Sequence, residues 1–192
     1  MEEIEVKFLG IDADKMEKKF LEIGAKKAFD RIYKIKVFDY PDLRLDKDHS
    51  WVRLRDEGDK VTLTFKKRLG AKDGVKNDDG MLEHEIIVSD FDQTAKILES
   101  IGLALKFYEE KRRIRYFLND IEFDIDFCPA LKPYLEIETD DWAKIDKAIL
   151  LLELDPKDKK KYSTMQIYKQ NGIDELDYIE MTFDRLVKRS KL

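Results

Sequence analysis

A chain of 192 residues, 43% of them hydrophobic, is long enough to bury a core, while its 41% charged content is far above the usual quarter and has to cover the surface densely or face inward. With 37 Lys and Arg against 42 Asp and Glu, the formal charge of −5 excludes a global basic footprint for nucleic acid. No stretch reaches the roughly 18 apolar residues of a membrane-spanning helix, the acidic start is no signal peptide, and a single cysteine, Cys128, excludes an internal disulfide. The expectation is a cytoplasmic protein without membrane or nucleic-acid partners, monomer or homodimer, forming one domain over residues 1–192 with a helical part from about residue 141.

The chain opens on a strand, about Glu2 to Leu9, in which Glu3, Glu5 and Lys7 alternate with Ile4 and Val6. A helix from Asp12 or Asp14 to Ile23 follows, stopped by Gly24. Residues 31–39 alternate as a second strand up to the break at Tyr40-Pro41-Asp42. Ser50 to Arg55 and Val61 to Lys66 form a hairpin around Asp56-Glu57-Gly58-Asp59, and residues 67–80 read as a loop. Met81 to Val88 is the next strand, and Ser89-Asp90 caps a helix to Ile101. Tyr108 to Leu118 and Ile121 to Phe127 pair through Asn119-Asp120, and Tyr134 to Glu138 closes the count at eight strands. The remainder reads as helices over 141–152, 157–170 and about 177–188. Strands joined mostly as meanders predict an α+β fold: an eight-stranded antiparallel barrel with helices packed outside.

The charges fall into register with this reading. Glu3, Glu5 and Lys7 share one parity, as do Arg53 and Arg55, Lys66 with Thr62 and Thr64, Glu83 and Glu85, Lys111, Arg113 and Arg115, Asp124 and Asp126, and Glu136 and Glu138. The opposite parity is mostly aliphatic or aromatic. A barrel wrapped by helices would turn those apolar faces outward and the charges inward. As pure structure such an interior is costly, because each desolvated ion loses several kcal/mol unless paired. A functional reading assigns the cations to a polyanion, Arg as a bidentate phosphate ligand and Lys as a point charge, and the carboxylates to Mg²⁺ or Mn²⁺.

The Glu-x-Glu-x-Lys opening, Arg53-x-Arg55, the Lys66 strand, Glu83-x-Glu85, Lys111-x-Arg113, the Asp126 strand and Glu136-x-Glu138, in that order, resemble the CYTH family. That family includes class IV adenylyl cyclases, thiamine triphosphatases and inorganic triphosphatases, the triphosphate tunnel metalloenzymes, and the likeness spans roughly residues 1–172. The resemblance implies an eight-stranded tunnel that holds a triphosphate-bearing small molecule with divalent metal. By position it implies Arg53, Arg55, Lys66, Lys111 and Arg113 as phosphate ligands, and Glu3, Glu5, Glu136 and Glu138, with Asp126, as metal-side acids. Lys7 matches a lysine that in some members helps to activate the attacking water. Glu83, Glu85, Asp124, Arg115 and Tyr33 complete the candidate set.

One departure bears on the reaction. Several triphosphatases of the family place a tyrosine on the second strand to partner the opening lysine, where this chain has Val37, with Tyr33 four residues earlier on the same parity. Hydrolysis of inorganic triphosphate, thiamine triphosphate or a nucleoside triphosphate therefore stands beside cyclisation of ATP to cyclic AMP and pyrophosphate. A non-catalytic sensor of nucleotide or polyphosphate is the reading from another class. His84 lies on the parity opposite the charges and reads as a surface or helix-packing residue, His49 as solvated, and Cys128 as a buried filler. Trp51 suits either core packing or stacking on a base, and the run Lys157 to Lys161 reads as a solvated helix start.

Overall fold

The computed structural model describes residues 4–72, 75–76 and 80–190, so Glu3 lies outside the described residues. In chain order the elements are β1 (Ile4–Leu9), α1 (Ala13–Glu22), β2 (Lys26–Asp39), α2 (Arg44–Lys47), β3 (Ser50–Asp56), β4 (Val61–Arg68), β5 (Ala71–Lys72), β6 (Val75–Lys76) and β7 (Met81–Val88). They continue as α3 (Phe91–Ser100), β8 (Ala104–Leu118), β9 (Ile121–Phe127), β10 (Tyr134–Thr139), α4 (Trp142–Leu151), α5 (Thr164–Gln170), β11 (Tyr178–Met181) and β12 (Leu186–Lys188). The chain divides into two compact units, Met1–Arg31 with Lys111–Glu175, and Ile32–Glu110 with Leu176–Leu192, so that β2 and β8 each pass from one unit into the other.

In the first unit, alternation in β1 sends Val6 and Phe8 into a core completed by Met16 and Phe20 of α1, Ile114 and Tyr116 of β8, Phe123 and Ile125 of β9, Leu135 and Ile137 of β10, and Ile145 and Ile149 of α4. Phe20 sits with its ring centroid 5.0 Å from that of Phe123 and 4.9 Å from that of Tyr116. Truncating such a buried ring to alanine costs about 3–5 kcal/mol. Asp12 caps α1 by accepting the Lys15 backbone N–H at 3.1 Å, and Asp141 caps α4 through Ala143 N–H at 2.9 Å. In the second unit, β3 and β4 turn Leu54, Val52, Val61 and Leu63 toward Ala95 and Leu98 of α3, with Phe38 and Leu103. Asp39, almost fully buried, fastens the loop after β2 by accepting the backbone N–H groups of Tyr40, Leu45 and Asp46.

The α+β class holds, but among the described residues the sheet has ten strands and no strand pairing closes it. Its ladder runs β1-β10-β9-β8-β2-β3-β4-β7, with the β11–β12 pair attached to β8, and β5–β6 form a separate two-stranded ribbon inside the segment expected to be loop. An eight-stranded barrel would need the outer edge of β1. That edge is engaged at Lys7, whose backbone N–H donates to Lys160 O at 2.8 Å and whose carbonyl accepts Lys160 N–H at 2.9 Å.

The other corrections concern ends and the C-terminal third. β2 and β8 begin earlier than expected, at Lys26 and Ala104. The helix expected over 157–170 is a 3-10 turn, Pro156–Asp158, followed by a separate α5. Ser163 starts α5 with a capping box in which its hydroxyl accepts Gln166 N–H while the Gln166 side chain accepts Ser163 N–H. The lysine run is not a helix start, and Lys159 and Lys161 lie over the Trp142 ring at 5.3 and 4.4 Å. The segment expected to be helical over 177–188 is a β-hairpin. β8 pairs with β9 only from Arg112 onward, and β11 fills the ladder position beside Tyr108 and Glu109 as a parallel strand. Tertiary pairing overrides an amphipathic pattern here.

Candidate active site

In the first unit the expected parities become cross-strand rows. Lys7, Glu136, Asp124 and Arg115 stand in register across β1, β10, β9 and β8. The row on one side holds Glu5, Glu138 and Glu122, all acidic, and the row on the other holds Tyr134, Asp126 and Arg113. Facing side chains on one face of a sheet lie about 5 Å apart, so the rows fix which charges meet.

Arg113 is the hub. Its Nε and Nη2 donate to the two oxygens of Asp126 at 2.7 Å each, Nη2 also reaches Glu136 Oε2 at 3.2 Å, and Nη1 lies 2.6 Å from Asp124 Oδ2. Arg115 forks onto Asp124 at 2.8 and 2.7 Å and also pairs with Glu122. Lys111 Nζ is 2.5 Å from Asp126 Oδ2 and 5.5 Å from the centre of the buried Tyr134 ring. Lys7 pairs with Glu5 and lies 3.5 Å from Glu136 Oε2.

Burial and neighbours push these groups in different directions. Burial would lower Lys111 and Arg113, yet the carboxylates of Asp126 and Glu136 outweigh it and raise both. Burial would raise Asp126, and Arg113 and Lys111 overcome that to hold it below the usual carboxylate range. Lys7 moves the other way: burial lowers it, and Lys111 and Arg113 add to the effect against the pull of Glu136 and Asp126. Among the four cations of this cluster, Lys7 alone is lowered. Glu122 is raised to about 7, first by burial and then by Asp124.

Glu5, Glu136 and Glu138 each offer a carboxylate oxygen, and these three atoms lie within 4.8 Å of one another. Among the described residues the cluster sets six carboxylates against four cations, so acids outnumber bases by two. Like charges opposed in an acidic row repel, and a hard dication among oxygen donors would relieve that repulsion, so the donor type and charge fit a hard divalent cation.

The second unit gathers Arg53, Arg55, Lys66, Glu83, Glu85 and Tyr33. Lys66 Nζ pairs with Glu83 at 2.7 Å, whereas Arg53 Nη2 stands 3.6 Å from Glu85 and 3.9 Å from Glu83. Arg55 Nη2 meets Glu57 at 2.5 Å, and its guanidinium lies 5.5 Å from the centre of the Tyr33 ring. Burial, then the charge of Arg55, push Arg53 down to about 10, and burial together with Arg53 lowers Lys66. Val37 is buried opposite Arg53. His84 is exposed beside Phe65 and Cys128 is buried, as expected.

Every candidate residue but Glu3 is thus placed in one of two clusters. Glu122 and Glu57 were missed by sequence reasoning. Glu122 shares the parity of Asp124 and Asp126, a signal that was available, while Glu57 sits in a turn where strand parity says nothing.

A family model described as the CYTH domain matches residues 1–164. No curated protein matches the chain. Among solved structures, the PH1012 protein of Pyrococcus horikoshii OT3 is 22% identical with a TM-score of 0.68, over 86% of this chain and 98% of its own. A candidate adenylate cyclase from Vibrio parahaemolyticus is 16% identical with a TM-score of 0.68, over 88% and 98%. A candidate adenylyl cyclase from Hippeastrum, whose dominant activity is that of a triphosphatase, is 13% identical with a TM-score of 0.60, over 91% and 98%. At these identities the likeness establishes the fold.

Proposed function

Because the chain belongs to the CYTH family, we propose that it is a divalent-metal-dependent triphosphatase, taking inorganic triphosphate, thiamine triphosphate or a nucleoside triphosphate. The observation that carries this reading is the Glu5, Glu136 and Glu138 carboxylate group with Lys7 and Arg113 against it. Those three acids would hold Mg²⁺ or Mn²⁺. A bound dication supplies charge neutralisation to phosphate oxygens.

The chain's own groups do the rest. Lys111 and Arg113, fixed by Asp126 and Glu136, and Arg115, fixed by Asp124, present donors that need no reorganisation when negative charge shifts on the phosphate oxygens. Arg53, Arg55 and Lys66 are assigned to phosphate binding in the second unit. Water adds to the terminal phosphorus as the bond to the bridging oxygen breaks, leaving orthophosphate and the shortened chain. Lys7 is assigned to hold and orient the attacking water beside Glu5 and Glu136, and the water's proton leaves on the orthophosphate.

Purified protein is incubated with tripolyphosphate, thiamine triphosphate and ATP, each with Mg²⁺ or Mn²⁺, and orthophosphate, pyrophosphate and cyclic AMP are measured. Orthophosphate release is expected. Cyclic AMP with pyrophosphate would instead make the chain a cyclase, the reading to which the Vibrio neighbour's name points. Binding without any product would make it a sensor and overturn the enzyme reading.

A further inference from the structure

We propose that Thr62 is a further anion-binding residue, its hydroxyl forming with Arg53 Nε and Arg55 Nε a three-donor subsite for one phosphate group in the second unit. The proposal rests on the triphosphate reading above and adds a residue to it.

β3 and β4 pair so that Arg55 faces Thr62 and Arg53 faces Thr64 on one side of the sheet. Both threonines are fully buried. Thr64 is satisfied, because its hydroxyl donates to Glu85 Oε2 at 2.8 Å. Thr62 is placed differently: its partner in register on β7 is Ile87, which has no polar side-chain atom. Thr62 Oγ1, Arg53 Nε and Arg55 Nε are all buried without a hydrogen-bond partner among the described residues. Glu57 Oε1 is the other such atom, and it lies against Arg55 Nη2 at 2.5 Å, so it has an ionic neighbour.

Buried donors left without acceptors work against folding, and valine at position 62 would remove one of them at no loss of shape. The three unmet groups are an O–H and two guanidinium N–H groups from adjacent register positions. What complements them is an acceptor with several negative oxygens. A metal ion does not, since it needs donors of electron pairs. The arginine side chains are about one-fifth exposed, at 18% and 21%, so rotation of these flexible chains opens the donors to an incoming anion.

Sodium tripolyphosphate is titrated calorimetrically, without metal, into the wild type, Thr62→Val and Thr62→Ser, and thermal melts of the free proteins are recorded. Thr62→Val is expected to bind at least about tenfold more weakly, as for loss of a hydrogen bond to a charged group. Thr62→Ser keeps the hydroxyl and should stay within about twofold of wild type, and the free Thr62→Val protein should melt no lower than wild type. Thr62→Ala replaces the valine variant should that protein not fold. Equal affinity of wild type and Thr62→Val, or a serine variant as weak as the valine one, overturns the subsite and leaves the triphosphate reading standing. Sulfate serves as a second probe: a wild type that binds sulfate through Thr62 but ignores tripolyphosphate keeps the subsite and ends the triphosphate reading, and binding of neither ends both.

Discussion

The two clusters are built from the same residue types and reach opposite states. In the first unit Arg113 and Arg115 are forked onto Asp126 and Asp124, acids that are themselves buried, and acids outnumber bases. In the second unit Arg53 reaches its acids only at 3.6 Å and beyond, Glu83 and Glu85 are partly exposed, and two guanidinium Nε atoms go unpartnered among the described residues. A buried arginine that is already matched orients and stiffens its surroundings. One whose Nε has no acceptor among the described residues keeps a donor in reserve, as Arg53 and Arg55 do although Arg55 Nη2 meets Glu57.

The sharpest way to break this contrast is Asp126→Ala. It takes from buried Lys111 its Asp126 carboxylate and from Arg113 two of its hydrogen bonds, and is expected to cost about 3–5 kcal/mol in urea unfolding. A loss below about 1 kcal/mol would mean that the first cluster is no more interlocked than the second. The pH dependence follows with its sign: the folded pKa of Asp126 lies below the unfolded value of about 3.9, so its contribution is complete above that pH and lost as pH falls further. The alanine variant should therefore lose the acid-side part of the wild-type stability profile.

Next in size, Glu138→Gln should lower metal-dependent turnover by about a hundredfold while the protein still melts cooperatively. Unchanged metal titration in this variant would argue against the acidic row as the metal side. Arg55→Ala should weaken tripolyphosphate binding by about tenfold and flatten its dependence on salt. The same affinity at low and high salt in both proteins would remove the phosphate role from the second cluster. The smallest effect is expected at Glu122, whose folded pKa of about 7 lies above the unfolded value of about 4.3. The benefit of its protonated form is present at low pH and lost as pH rises through 7. Glu122→Gln should therefore gain on wild type between about pH 4.5 and 8, by no more than about 1 kcal/mol because Arg115 pairs with the ionised form.

Parity within single strands carried most of what could be read in advance. Lys111 with Arg113, Asp124 with Asp126 and Glu136 with Glu138 each share a face because the side-chain period of a strand is local. What the residues could not disclose depends on distant partners. The strand at Lys7 reads the same whether its outer edge meets another strand or Lys160, so closure of the sheet was beyond local pattern. Tyr178 to Lys188 reads as an amphipathic helix until the bare stretch of β8 claims it as a strand. Thr62 looked like Thr64, and only the neighbour across β4, Ile87 in one case and Glu85 in the other, separates a satisfied hydroxyl from a spare donor.

The two-residue turn Asn119-Asp120, with Asn119 at φ +53°, joins Leu118 directly to its partner Ile121 and thereby sets the whole β8–β9 pairing. Arg113 with Asp126 and Arg115 with Asp124 are thus separated by only a short loop, whose closure entropy is small. The arginine–aspartate part of the first unit's network can assemble on the microsecond scale of hairpin formation, about 1–10 μs, ahead of the distant pairing that brings in Lys7 and Glu5 of β1. By the same geometry, one residue inserted in that turn would slip the register and swing the acids of β9 away from both arginines, a larger injury than removing any one charge.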